Sequence, residues 1–239
     1  MPLPTIATPT YELVLPSTKK KINYRPFLVK EEKLLVLAME SEDTKQITTA
    51  IKSVLKACIK TRGVKVENLP TFDIEYLFLN IRGKSVGEEV EVNIVAPDDG
   101  KTNIPVTINL DDIQVIEDKE HNKVIKLNDD LAIEMKYPSL DQFIKNNFDF
   151  TGSATLDQSF QLIATCVDKI FSEDEVWSTD DVSQKEVIEF LEQMNSLQFK
   201  EIEKFFSTMP KLSHKIQVTN PKTKVKSTVV LEGLSSFFG

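Results

Sequence analysis

Apolar and polar positions alternate or recur with clear periods along most of the chain. Tyr11, Leu13 and Leu15 alternate, Pro16-Ser17-Thr18-Lys19 turns, and Ile22 and Tyr24 alternate back, which predicts a β-hairpin with one buried face. Val29 to Met39 predicts a helix after Pro26. Ile47, Ile51, Val54, Leu55, Cys58 and Ile59 follow at helical spacing with lysines on the other face, and Gly63 is the expected stop. Thr71 can cap a further helix, in which Phe72, Ile74, Tyr76, Leu77, Phe78, Leu79 and Ile81 are apolar nearly all round; such a helix belongs in a core or an interface. A second hairpin alternates through Val90, Val92 and Ile94, turns at Pro97-Asp98-Asp99-Gly100, and returns through Ile104, Val106, Ile108 and Leu110.

The same order then recurs. Val124 to Leu127, the turn Asn128-Asp129-Asp130, and Leu131, Ile133 and Met135 predict a third hairpin. Ser139 with Gln142, Thr155 with Gln158 and Ser183 with Glu186 have the spacing of capping boxes, which places helix starts there, the first opening a short helix through Phe143 and Ile144. Phe160, Ile163, Val167 and Ile170 step by 3, 4 and 3 and predict one helix, and Phe199 to Met209 predicts the last, stopped by Pro210. A final hairpin runs through Ile216 and Val218, turns at Asn220-Pro221-Lys222-Thr223, and returns through Val225, Val229 and Leu231. Pro26 and Pro138, Cys58 and Cys166, Phe72 and Phe199, and Pro97 and Pro221 pair in order at offsets between 108 and 127. The expected architecture is therefore α+β: internally duplicated hairpin–helices–hairpin units, antiparallel hairpins packed on helices. The first unit spans residues 1–118 and the second 119–239, with an extra helix between Ile170 and Phe199.

Composition narrows the function by exclusion. The 239 residues carry 29 Lys+Arg against 37 Asp+Glu, a net charge of −8, which does not supply the basic footprint of a free-standing nucleic-acid binder. Only 7 glycines occur, where ordinary usage of ~7% would give about 17, and none forms a phosphate-cradling GxGxxG or GxxxxGK[ST] loop. Cys58, Cys166, His121 and His214 are the only thiols and imidazoles. Without CxxC, HExxH or GxSxG they make no local metal site and no nucleophile signature, so no cofactor and no metal are expected. Both cysteines fit buried helix positions. The longest purely apolar run, Leu34 to Met39, is far below the ~20 residues that span a bilayer, and the N-terminal residues do not resemble a secretory leader. A soluble chain that stays where it is made, with no membrane or nucleic-acid partner, is expected.

Asp98-Asp99, Asp111-Asp112 and Asp129-Asp130 fall at turns, where Asp caps its own backbone; a glycosidase pair would have to meet across a cleft, which adjacency does not imply. Lys19-Lys20-Lys21 and the alternating Lys222, Lys224 and Lys226 read either as solvated hairpin charge or as a patch for an acidic partner. Two features stand out as contact candidates. Trp177, the one tryptophan, lies among the five acids of Ser172–Asp181 in an expected loop, either as a core plug or as an interface anchor. Leu234, Phe237 and Phe238 end the chain, where termini ordinarily fray, so they should dock on this chain's own core or on a partner.

Several segments carry a family resemblance. They are Pro26-Phe27-x-Val29-Lys30-Glu31-Glu32-Lys33-Leu34-Leu35, Phe72-Asp73-Ile74-Glu75-Tyr76-Leu77-Phe78, and Arg82-x-Lys84-Ser85-Val86-Gly87-Glu88. Met209-Pro210-Lys211-Leu212-Ser213-His214 and Leu231-Glu232-Gly233-Leu234-x-x-Phe237-Phe238 complete the set. Together they resemble the baseplate protein family of T4-type contractile-tailed phages, from about Tyr11 to Gly239. The resemblance implies a baseplate hub subunit or a hub-assembly factor that is not an enzyme. Its partners would be other baseplate hub proteins, with an oligomer within the hub. Its location would be host cytoplasm during assembly and the virion tail baseplate if it is a structural subunit. Some relatives carry Cys-Pro-x-Cys-like pairs at hairpin tips; here the tips read Ala96-Pro97-Asp98-Asp99 and Asn220-Pro221-Lys222-Thr223, so no zinc role carries over. The competing classes are a cell-wall hydrolase and a zinc-ribbon-like nucleic-acid adaptor that lost its metal.

Overall fold

The computed structural model describes residues 6–140, 142, 156–179, 181–233 and 236. Among these it holds six α-helices and eleven strands, every strand pairing antiparallel within a small sheet, so the α+β expectation holds. The chain forms two compact units interleaved in sequence. One is built from the chain up to Val66, Phe72–Ile116 and the chain from Lys211 onward; the other from Glu67–Thr71 and Glu117–Pro210. Compactness thus divides the chain differently from the boundary at residue 118, because the last hairpin folds with the first unit.

In the first unit, β1 (Tyr11–Val14) pairs with β2 (Lys21–Tyr24), and Leu13, Ile22 and Tyr24 turn inward. α1 (Val29–Glu40) and α2 (Thr44–Cys58) follow, the latter N-capped by Asp43, whose carboxylate accepts from Lys45 N at 2.8 Å. α3 (Thr71–Val86) is the central helix: Phe72, Ile74, Leu77, Phe78, Leu79 and Ile81 are all buried, as its all-round apolar pattern requires. β3 (Glu89–Val95) and β4 (Asn103–Asn109) form the second hairpin. β5 (Gln114–Ile116), too short to register in the periodicity, pairs with β10 (Lys211–Thr219), which pairs in turn with β11 (Lys226–Glu232). Ile94, Ala96 and Ile104 of the second hairpin share a core with Val218 of the last, flanked by Ile216, Val229 and Leu231. A lone hairpin is marginal in water, and these two bury their apolar faces against each other.

In the second unit, β6 (Val124–Lys126), β7 (Ala132–Met135), β8 (Val167–Phe171) and β9 (Val176–Ser178) make one four-stranded sheet in that order. α4 (Leu156–Cys166), α5 (Gln184–Glu192) and α6 (Ser196–Ser207) supply the rest of its core, with Ile133, Met135, Cys166, Val167, Leu191, Ile202 and Phe205 at the centre. The Ser183–Glu186 capping box forms, and Asn195 with Gln198 makes a second one. The Ser139–Gln142 exchange is present, Ser139 N donating to Gln142 Oε1 at 2.6 Å; the helix expected through Phe143 and Ile144 and the cap at Thr155 lie outside the described residues.

Three sequence expectations need correction. The helix through Phe160 stops at Cys166, and Val167–Ile170 is strand; these β-branched residues pair with β7, Ile170 opposite Ile133. Trp177 lies in β9, not in a loop. Gly63 does not stop α2, which ends at Cys58; Ile59 turns extended there and bridges Tyr24, Arg25 N donating to Cys58 O at 3.0 Å. Gly63, at φ +83°, serves the turn beyond.

Two local geometries recur. β7 leaves its hairpin as β2 does: Lys136 N donates to Cys166 O at 2.7 Å, and Met135 pairs with Val167 as Tyr24 does with Ile59. Three hairpin tips also share one turn, opened by Leu15, Ala96 and Asn220, each followed by proline. Four residues on, Lys19 (φ 54°), Gly100 (φ 63°) and Lys224 (φ 66°) are left-handed, and each donates its N–H to the opening carbonyl at 2.9 Å. Proline fixes the first step of the turn, and the left-handed residue closes it.

Candidate interaction site

Both cysteines and His121 are taken up by the fold. Cys58 and Cys166 are fully buried at helix ends, and burial pushes their thiols up to about 11 and about 12, so neither is a thiolate nucleophile at neutral pH. His121 is held on both nitrogens, Nδ1 3.0 Å from Thr208 Oγ1 and Nε2 3.0 Å from the Tyr137 hydroxyl, and stacks on Tyr137. Thr208 Oγ1 donates to Lys204 O, so it accepts from His121 Nδ1–H. Burial, helped by Lys123, holds the imidazole below its ordinary value. Among the described residues no three His, Cys, Asp or Glu side chains gather where a metal could bind. An open groove of about 440 Å³ between α1 and α2 has Asp43 as its one carboxylate, and that group caps α2.

The acids at the hairpin tips have a structural use. Asn220, 1% exposed, donates Nδ2 to Asp98 Oδ1 at 3.0 Å and to Asp99 Oδ2 at 3.1 Å, while its Oδ1 accepts from Lys222 N at 2.9 Å. Thr223 Oγ1 donates to Asp98, and Thr102 Oγ1 to Asp99 at 2.6 Å. The hydrogen bonds from Thr223 and then Asn220 hold the Asp98 carboxyl below its usual range, and those from Thr102, Lys101 N and Asn220 do so for Asp99. The two proline tips singled out in the sequence thus meet, clamped by an amide between two carboxylates. At the first tip Asp73 does the same work: it is buried on α3 and accepts from Ser17 N at 3.0 Å and from the Ser17 hydroxyl. Burial pushes its carboxyl up against the pull of those bonds.

What the molecule leaves exposed is apolar surface on ordered elements. Trp177 pairs with Ile170 on the open edge of its sheet and is 38% exposed beside the exposed Val176, with Glu173, Asp174 and Glu175 just before them. It is not a core plug. Leu234, Phe237 and Phe238 lie outside the described residues. α1 was not singled out as a site by its sequence, yet it buries only Glu31 and Ala38 among its twelve residues. Val29, Val36, Leu37 and Met39 are all exposed. The signal was present in the pattern: apolar residues on every side of α1 leave some facing out whichever side packs.

A family model described as the T4 bacteriophage base plate protein matches residues 8–239. The chain belongs to that family. The comparisons with curated proteins and with solved structures returned no match. Membership makes this a phage baseplate protein with a structural or assembly role, and other baseplate proteins are its partners. Among the described residues no helix is long and apolar enough to cross a membrane.

Proposed function

We propose that this baseplate protein belongs to the hub of a contractile tail, as a structural subunit, and that it acts through protein–protein contacts rather than catalysis. Trp177, Leu234, Phe237 and Phe238 are among its contact residues. The observation that carries this reading is Trp177 itself. A tryptophan held half out of a sheet edge, with apolar and acidic neighbours, has the make-up of an interface anchor with an orienting charged rim. In this reading it assembles in the host cytoplasm and ends in the virion tail. An assembly factor that leaves before completion would use the same surfaces, so mass spectrometry of purified virions decides between them. Stoichiometric recovery supports the subunit, and absence from particles whose assembly requires the protein supports the factor. Trp177→Ala should cut infectious yield while leaving the melting temperature of the purified protein nearly unchanged. Wild-type yield would remove Trp177 from the contact set.

We also propose that residues 1–118 and 119–239 descend from one duplicated unit. The shared join at Cys58 and Cys166 and the shared tip turn at Ala96 and Asn220 support this. A superposition in which β2–Cys58 and β7–Cys166 fail to align with the flanking helices in the same order would overturn it.

A further inference from the structure

The outward face of α1 follows a pattern that names its own partner. Val29, Lys33, Val36 and Glu40 succeed one another at spacings of 4, 3 and 4, the repeat that keeps one seam of a helix facing one neighbour. All four are exposed, and Leu37, 54% exposed, borders the seam. Val29 at 78% and Val36 at 48% exposed are apolar side chains left in water on a helix whose opposite side is packed. Neither Lys33 nor Glu40 makes an ion pair among the described residues.

The charges set the geometry. Lys33 lies three residues before Val36, ~4.5 Å along the axis, and Glu40 four residues after it, ~6 Å. A second α1 crossing antiparallel at Val36 therefore brings Lys33 of each copy to within ~1.5 Å, along the axis, of Glu40 of the other. The apolar side chains of Val36 and Leu37 then meet across the crossing. A parallel crossing would set Lys33 against Lys33 and Glu40 against Glu40. We propose that α1 is the self-association surface of this protein, pairing antiparallel with α1 of a second copy about a two-fold axis at Val36. Such a patch is self-complementary, which is what an isologous dimer needs. The pairing deepens the contact-based reading above and rests on it. The two helices overlap over residues 32–40, ~12 Å, with Val29 beyond the overlap, which buries far less than the ~800 Å² per partner of a standard interface, so the association is weak, with a dissociation constant on the order of tens of micromolar.

Sedimentation of the purified full chain tests the proposal without phage, so a negative result leaves the virion measurement untouched. The wild type should pass from monomer to dimer between about 1 and 200 µM. Val36→Glu should remain monomeric. Lys33→Glu and Glu40→Lys should each weaken the dimer about tenfold, and the double swap should restore it to within about threefold, because only the double variant re-forms opposite pairs. Circular dichroism checks that each variant folds, and a second readout does not depend on weakened binding. Val36→Cys should cross-link to its own copy under mild oxidation, whereas Val29→Cys, seven residues or ~10.5 Å from the axis on each chain, should not. Cys58 and Cys166 are buried and do not compete. A monomeric wild type, a dimer indifferent to Val36→Glu, a double swap no better than either single, or cross-linking at 29 rather than 36 would each overturn the proposal.

Discussion

Asn220→Ala should remove the fastening between the two proline tips. The side chain is almost fully buried and uses both ends: Nδ2 donates to Asp98 and Asp99, and Oδ1 accepts from Lys222 N and Thr223 N. A hydrogen bond to a charged group contributes about 1.5–3 kcal/mol, and the turn N–H groups add a cap of about 1 kcal/mol. The partners soften the loss, because Asp98 is exposed and rehydrates when the amide goes. The net expectation is about 2–3 kcal/mol. For a chain of this size that lowers the melting temperature by about 4–12 °C. Calorimetry and urea denaturation of the full chain read it, with the transition of the first unit moving. The linked variant Asp98→Ala should be non-additive with Asn220→Ala, since both break the same clamp. Unfolding free energy within about 0.5 kcal/mol of wild type in Asn220→Ala, or strict additivity in the pair, would refute the clamp.

Three further outcomes concern an ion pair, a turn glycine and a histidine. Arg25 and Glu31 form a buried ion pair at 3.1 Å, and Glu31 also accepts from Leu28 N at 2.7 Å; removing one partner in Arg25→Met should cost about 3–5 kcal/mol in urea denaturation, and adding Glu31→Leu should recover part of it. Gly100 is left-handed with open space where a Cβ would stand, so Gly100→Ala meets only the backbone cost, about 1 kcal/mol, and Gly100→Asn less. His121 is held below its ordinary value in the fold, so the folded state binds fewer protons than the unfolded one just below pH 6.5; its contribution is present above that pH and is lost as pH falls through the lowered folded value. A melting temperature that declines across that window in the wild type and stays level in His121→Gln checks the sign.

Much of this architecture was legible because hairpins and amphipathic helices declare themselves by period. The alternations at Leu13/Leu15, Val90/Ile94 and Ile216/Val218 and the all-apolar α3 are where the pattern placed them. Failures came where a helical spacing coincided with β-branched residues, as at Val167 and Ile170, or where a strand was too short to repeat, as in β5 and β9. The candidate site was legible only in part. Trp177 was found by its rarity, but its exposure depends on β9 being an edge. The Asn220 clamp joins residues more than a hundred positions apart, and no local spacing encodes a meeting of two turns. α1 was legible as a helix and not as a surface, because burial is decided by how much neighbouring apolar area exists to cover it.

The exposed and the anchored residues are coupled by position. α1 starts where Glu31, held by Arg25, accepts the Leu28 N–H, and Phe27 N donates to Ser85 Oγ on α3 at 2.9 Å, so the exposed helix is tied at its N-terminus to the buried one. The same holds for the β1–β2 tip on Asp73 and for the last hairpin on Asn220. Each anchor is a polar group taken out of water, which burial of apolar side chains alone would not require. Association loses free energy wherever a contact element must first be ordered, by about 0.5–1.5 kcal/mol for each mobile side chain. A contact surface as small as one helix or one strand edge has little area with which to offset that loss. Under the pairing proposed above, holding α1 by a buried polar anchor before a second copy arrives would remove that loss, and it predicts that loosening the Arg25–Glu31 anchor weakens α1 self-association in sedimentation even when no contact residue is touched.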